Sequence, residues 1–513
     1  MRRSKFFPIL AIALLGLCPL LPLHSQQNGA SLLIMNAQVA DGTGAPLRKA
    51  NVRIALSHIV GIGELQPEKG ETTIDAHGLV LAPGFIDIHN HSAEGLQQDP
   101  LAETQISQGI TTLIVGADGD SPWPLINWVR LQQQKPAAVN VGVLAGHATI
   151  REQVLGKDFK RVSTPEEIQR MSVMVGQAMG QEALGLSSGL EYEVGSYSAT
   201  EELIAMAKVA AQHGGFYMTH IRDEADKSFE ALEEEITIGE KAHIPLEHSH
   251  IKLGTVAVWG KAPQYIKVIE QARSRGIDFL ADCYPYDAWN SNFKVLVPDK
   301  QYENPKSVAK ALADVGGASH ITITSFTPNK SYQGHTLADL AKSNSLTPVD
   351  MYIRIIREGD KAGTEAEIIG QSMIESDIKA FYQQPWVMVA SDGGIGAAHP
   401  RGAGSFPRVL GVFVREKHWL TLPEAVRKMT SLPAQRLNWK DRGVIREGAF
   451  ADLVLFNPDT VIDHSAYTNP TALSTGIEKV FVNGTLVWDS GKPTGSKPGS
   501  IIGLAGAVSG LLN

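Results

Sequence analysis

The sequence predicts an α/β protein: a (β/α)8 barrel of the TIM type with a small β-sandwich built from both chain ends. Three observations carry this expectation. Eight short apolar runs alternate with helical patterns through the middle of the chain, and polar residues recur where those runs stop. Segments punctuated by Gly and Pro, with alternating apolar residues, occupy both residues 31–80 and the C-terminal region.

The eight runs are Phe85–His91, Thr111–Ala117, Asn140–Ala145, Ala183–Ser187, Phe216–His220, Pro245–His250, Asp278–Tyr284 and Trp386–Ser391. Each is of strand length, and helical patterns such as Thr200–Gln212 and Glu224–Lys241 intervene. A doubly wound sheet is the alternative, but no Gly-rich dinucleotide fingerprint opens it. The interval from about 290 to 380 is too long for one crossover and reads as an insertion, a candidate lid.

At the ends, "SLLIMNAQVA" and "NVRIALSHIVGIG" resemble in character "ADLVLFNP" and "IEKVFVNGTLVWDSGKP". Asn483-Gly484 in the last of these marks a hairpin. The expected units are a signal peptide at 1–25, a β-sandwich from 26–80 and 439–497, a barrel at 81–438, and a Gly/Ala/Leu tail at 498–513 to which no role is attached.

Arg2, Arg3 and Lys5 precede an apolar stretch from Phe6 to Leu23, then His24-Ser25-Gln26, the pattern of an exported protein cleaved after Ser25. Pro8, Pro19 and Pro22 make the stretch a poor continuous helix and argue against a lasting membrane anchor. Removing it takes three cations and no acids, leaving 43 basic against 54 acidic residues, a net charge of −11. That balance argues against non-specific nucleic-acid binding. The content of 43% hydrophobic and 19% charged residues is that of an ordinary globular protein and argues against disorder and coiled coil. The only cysteines are Cys18 and Cys283, so the mature chain has no intramolecular disulfide even in an oxidising periplasm.

The chemistry-bearing residues close the strands. His89 and His91 end the first, His220 the fifth, His250 the sixth, and Asp392 follows the eighth. Residues two apart on a strand share a face, so His89 and His91 can grip one metal. A His-x-His pair is weak alone, because the chain has 16 histidines and His248/His250 form a second pair. Any one of these histidines is more readily a hydrogen-bonded core residue. Together, at the ends of strands one, five, six and eight, they point to a shared hydrolytic metal site. After the second strand comes "GADGDS". A calcium loop is excluded there because the further spaced oxygen ligands are missing. Asp120 reads as a loop cap.

Over nearly the whole mature chain the sequence resembles the amidohydrolase superfamily, and within it the D-aminoacylase (N-acyl-D-amino-acid deacylase) family. The resemblance rests on "APGFIDIHNH", "GHATIR", "GLSSGLEYEVGSYS", "THIRDE", "HSHIK", "DCYPY", "SDGG", "HPRGAGSFPRVLG" and "GVIREGAFADLVLFNP". It implies the barrel with a small β-sandwich, and one or two zinc ions held by His89, His91, His220 and His250. It gives Asp392 the role of general base and further ligand. His250 rather than His248 matches the family's Ser-His-x-Lys order. One departure stands out. Where the family carries Asn-Cys-Gly, this chain has Ala117-Asp118-Gly119, so Asp118 takes the place of the zinc-binding cysteine. Carboxylates are ordinary zinc ligands, and strand four, in "EALGLSSGLEY", offers no lysine as a bridge.

The implied reaction is deacylation of N-acyl-D-amino acids, with a related amidase or dipeptidase as the alternative and a degenerate binding protein as the reading of another class. The substrate would be a small molecule with a free α-carboxylate, for which Lys252, Tyr192, Tyr284, Arg222 and Arg401 are candidate clamps. Surface salt bridging competes with that role for Lys252 and Arg401, and packing competes for the tyrosines.

Overall fold

The computed structural model describes residues 31–504, so the predicted signal segment lies outside the described residues. Eight parallel strands form the central sheet: β1 (Phe85–Asn90), β2 (Ile110–Val115), β3 (Asn140–Gly146), β4 (Ala183–Gly189), β5 (Phe216–His220), β6 (Leu246–His248), β7 (Phe279–Cys283) and β8 (Val387–Val389). All eight coincide with the predicted runs to within a few residues at each end. They are buried along their whole length, as expected of parallel strands covered on both faces.

They hydrogen-bond in sequential order from β1 to β8. The ring closes through a bridge between Asn90 and Gly393, with Asp392 N donating to His89 O at 2.9 Å and His91 N donating to Gly393 O at 2.7 Å. Beneath this seam the buried Asp87 carboxylate accepts from the backbone N–H and the hydroxyl of Ser391 and from the amide of Asn90. Closure therefore fixes β1 against the loop after β8, and both carry residues of the site.

The chain ends meet in one nine-stranded sheet. Strand Leu32–Val39 pairs in parallel with Val80–Pro83, which pairs antiparallel with Leu453–Phe456. Ile34, Val52, Leu81, Leu453 and Phe481 form its core. Asn483 and Gly484 both have positive φ (49° and 76°), the backbone of the tight hairpin that their sequence announced. The described part of the C-terminal tail is packed. Val141 N donates to Ser500 O, Ile502 N donates to Val141 O, and Ile501 and Ile502 are buried beside the start of β3.

Between β7 and β8 lies the insertion, a three-stranded antiparallel sheet of Trp289–Asn292, Ile321–Ser325 and Glu367–Gly370. Helices Pro305–Asp314 and Pro348–Ala362 flank it, each opened by a side-chain cap (Asn304, Thr347) and a proline in the first turn. It has its own apolar core, including Phe293, Ile323, Met351, Tyr352 and Ile368. Among the described residues no helix is long and apolar enough to cross a membrane.

Behind β3 and β4, Glu202 is buried between Arg151 Nη1 (2.5 Å) and His147 Nε2 (2.8 Å). Burial pushes the Glu202 carboxyl up, but the hydrogen bonds and charges of His147 and Arg151 outweigh it and bring the pKa to about 2. A carboxylate depressed in the folded state stabilises the fold above its unfolded pKa and loses that contribution as the pH falls toward its folded pKa. For Glu202 the window runs from about pH 4.5 down to about 2. Glu202→Gln is expected to cost roughly 3 kcal/mol at neutral pH. The gap from wild type, followed by denaturant unfolding, should narrow through that window. A gap constant with pH would refute the ionic origin of the effect.

Candidate metal and active site

The site is built from loops that leave the C-terminal ends of the strands. His89 is on β1 and His91 one residue beyond it; His220 ends β5, and His250 lies two residues beyond β6. Asp118 and Asp392 each stand three residues past their strands. Three of these residues take left-handed backbone: Asp118 (φ 55°), His250 (φ 34°) and Asp392 (φ 48°). Such conformations in non-glycine residues cost of order 1–3 kcal/mol each and persist where surrounding structure imposes them. At Gly119 (φ 81°), a Cβ would lie 2.9 Å from the backbone nitrogen of Gly189, so the chain turns there tightly against β4.

The side chains converge. His89 Nε2 lies 3.4 Å from both Asp118 Oδ2 and Asp392 Oδ1, and His91 Nε2 lies 3.5 and 3.1 Å from the same two atoms. His250 Nε2 is 3.6 Å from Asp118 Oδ2 and 3.1 Å from His220 Nδ1. One donor atom each from His89, Asp118, His250 and Asp392 falls within 4.8 Å of the others, and His220, Glu224 and His250 form a second such group. His250 is common to both.

The donors fit a divalent cation with nitrogen and oxygen ligands. His89 Nε2 and Asp118 Oδ1 are buried and, among the described residues, without a hydrogen-bond partner, which is costly unless a charge sits between them. The electrostatics agree. Burial pushes His89 down, but Asp118, Asp282 and Asp392 raise it well above its ordinary value. Burial and Lys252 lower His250, yet Glu224, Asp392 and Asp118 carry it to about 9. The cluster is a strong attractor of positive charge.

Supporting contacts set the ligand geometry. Asp282, buried on β7, accepts from His89 Nδ1 at 3.3 Å and from the backbone N–H of His250 at 2.9 Å. One carboxylate thus fixes the tautomer of His89, leaving Nε2 free, and the position of His250. Lys252 Nζ lies 2.6 Å from Glu224 and 2.8 Å from His250 Nδ1. Arg401 Nη1 lies 2.5 Å from Asp392 Oδ2, and its guanidinium stacks on Tyr284 at 4.8 Å. Burial pushes Asp392 up, but Arg401, His250 and His89 together hold it well below the usual carboxylate range. Tyr192 Oη is 3.3 Å from His220 Nδ1, and burial, then Asp118 and Asp392, keep its hydroxyl protonated.

These groups border a cavity of about 450 Å³, walled on one side by Trp289, Asn290, Asn292, Val295 and Glu367 of the insertion. The insertion expected from the sequence therefore completes the site.

Of the residues singled out from sequence, His89, His91, Asp118, His220, His250, Asp392, Lys252, Tyr192 and Arg401 line this cavity or touch residues that do. Tyr284 lies behind Arg401, its hydroxyl buried and, among the described residues, without a hydrogen-bond partner. Arg222 is a correction. Its guanidinium makes a two-pronged pair with Glu234 (2.7 and 2.9 Å) and borders a neighbouring chamber rather than the catalytic cavity. Asp120 accepts from Thr149 at the loop, as a cap would. Cys283 is buried on β7, outside the donor groups. Glu224, Glu191 and Asp282 escaped the reading. Glu191 lies 2.9 Å from His220 Nε2. For Asp282 a signal existed: a charged residue inside the apolar strand Phe279–Cys283 must have a buried partner.

A parallel eight-stranded barrel with histidine and carboxylate donors at its C-terminal end defines a metal-dependent hydrolase. Residues 72–488 match the amidohydrolase family. The chain is 34% identical to the N-acyl-D-glutamate deacylase of Alcaligenes xylosoxydans xylosoxydans over 94% of its length and 99% of that protein. It is 32% identical to the D-aminoacylase of the same organism, over 93% and 99%. Its fold superposes with a TM-score of 0.83, at 33% identity, on the N-acyl-D-glutamate deacylase of Bordetella bronchiseptica, solved with zinc and a phosphonate mimic of the tetrahedral intermediate; the match covers 92% of this chain and 98% of that one. The chain belongs to the amidohydrolase family, in the group formed by the D-aminoacylases and N-acyl-D-amino-acid deacylases.

Proposed function

We propose that the chain is a zinc-dependent amide hydrolase that deacylates N-acyl-D-amino acids, releasing a carboxylate and a D-amino acid. The observation carrying this reading is the convergence of His89, His91, Asp118, His220, His250 and Asp392 on one cavity. It is supported by likeness to deacylases along nearly the whole chain.

His89, His91, Asp118, His220 and His250 would hold one or two zinc ions, with Asp392 and Glu224 as further donors. Zinc, when bound, polarises the amide carbonyl and acidifies water. Asp392 takes the proton of the attacking water and delivers it to the departing nitrogen. Tyr192, kept protonated, donates to the carbonyl oxygen as charge develops there. Lys252 and Arg401, with Tyr284 stacked behind Arg401, supply the positive edge for the α-carboxylate. The basic, apolar and small N-terminal pattern supports export to the periplasm with cleavage after Ser25, which cell fractionation and the mature N-terminus would check.

The test is release of acetate from N-acetyl-D- and N-acetyl-L-amino acids beside a dipeptide panel. The D series is expected to turn over, exhaustive chelation to abolish activity and added zinc to restore it. Faster cleavage of dipeptides would make the protein a dipeptidase. Activity surviving with metal shown absent would refute the hydrolytic-metal mechanism.

A further inference from the structure

Resting on the deacylase reading, we infer that the insertion selects substrates by charge: its cavity wall accepts a neutral or cationic D-amino-acid side chain and rejects an anionic one, with Glu367 as the discriminating group.

The wall combines an apolar surface from Trp289, Val295, Leu296 and Val315 with the amides of Asn290 and Asn292. Glu367 faces Asn292 across the paired strands Trp289–Asn292 and Glu367–Gly370. Its side chain is exposed and, among the described residues, makes no hydrogen bond and no ion pair. Asp314, the other carboxylate contributed by the insertion, is already paired with Lys310 at 2.6 Å.

The cations that line the cavity beyond the histidines are Lys252 and Arg401. Both stand at the metal end, bound to Glu224 and Asp392 respectively. A substrate carries one carboxylate for that end. A second carboxylate, on the side chain of D-glutamate or D-aspartate, would meet an insertion wall that lends the cavity no cation, since Lys294, Lys300 and Lys310 border the neighbouring chamber. It would meet the exposed Glu367 carboxylate instead, and like-charge juxtaposition disfavours that partner. An aliphatic stem ending in an amide or ammonium group fits the same surface, the stem against Val295 and Leu296 and the donor toward Glu367. Overall similarity to an N-acyl-D-glutamate deacylase therefore does not extend to the side chain accepted.

The test compares kcat/KM of the zinc-loaded enzyme for the N-acetyl derivatives of D-glutamate, D-glutamine and D-lysine. Wild type is expected to favour D-glutamine and D-lysine over D-glutamate by at least about tenfold. Glu367→Gln should shrink the ratio of D-lysine to D-glutamate, and Glu367→Lys should invert it. Calorimetric binding of the same compounds to zinc-loaded Asp392→Asn gives the ranking without turnover. If nothing is hydrolysed but D-lysine still binds more tightly than D-glutamate, the deacylase reading fails and the charge preference stands. Preference for D-glutamate in wild type, or a ratio unmoved by Glu367→Lys, would overturn the inference. So would a preference that follows the acyl group, read with N-succinyl against N-acetyl derivatives.

Discussion

Asp392→Asn is expected to leave the protein folded and its zinc content near wild type while lowering kcat by about 10²- to 10⁴-fold. The amide has nearly the shape of the carboxylate but cannot accept the proton of an attacking water. Five other donors remain to hold the metal: His89, His91, Asp118, His220 and His250. The left-handed backbone at Asp392 (φ 48°) is tolerated by asparagine, so folding should be spared. Zinc analysis beside steady-state kinetics separates the two contributions. Near-normal turnover in this variant would remove Asp392 from its role as general base. Loss of zinc in step with activity would make it chiefly a ligand.

Asp118→Ala should have the second large effect, on metal affinity first and on rate as a consequence. Asp118 Oδ2 lies within 3.4–3.6 Å of His89, His91 and His250, and Oδ1 is buried without a partner. Removing the carboxylate leaves mutually close histidines with no central anion. Zinc affinity is expected to fall by more than about 100-fold, beyond the 10- to 100-fold typical of losing a supporting contact. Asp118→Cys supplies a softer donor that zinc accepts readily, and should recover much of the affinity. Cysteine tolerates the left-handed turn less well than aspartate, at a cost of about 1–2 kcal/mol. Zinc titration in a competing chelator reads both variants. Wild-type affinity in Asp118→Ala would show that Asp118 is not a ligand.

The barrel was legible because buried parallel strands are nearly continuous apolar runs, and their order in the chain is their order in the sheet. The histidines were legible because they end those runs. Asp118 needed the resemblance as well, since an Asp beside glycines also reads as an ordinary turn. Glu224 and Glu191 were hidden because they come from irregular loops, where no periodicity says which way a side chain faces. Arg222 illustrates the converse. It stands two residues past His220, yet the loop turns it toward Glu234, a helix residue twelve positions on. The packing of residues 499–503 against β3 was equally out of reach, because small and apolar residues after Pro498 carry no signal of where they dock.

The separate hydrophobic core of the insertion has a consequence for how such a protein diversifies. Phe293, Ile323, Met351 and Ile368 stabilise the insertion without drawing on the barrel interior. Its inner face can therefore change while the barrel keeps the reacting groups in register. Sequence drift there is free to retune which compounds are consumed, and drift at the strand ends would instead threaten the reaction itself. The two properties are inherited on separate stretches of chain. Exchanging residues 289–370 between relatives is expected to change which compounds the cavity accepts while the strand-end donors stay in place.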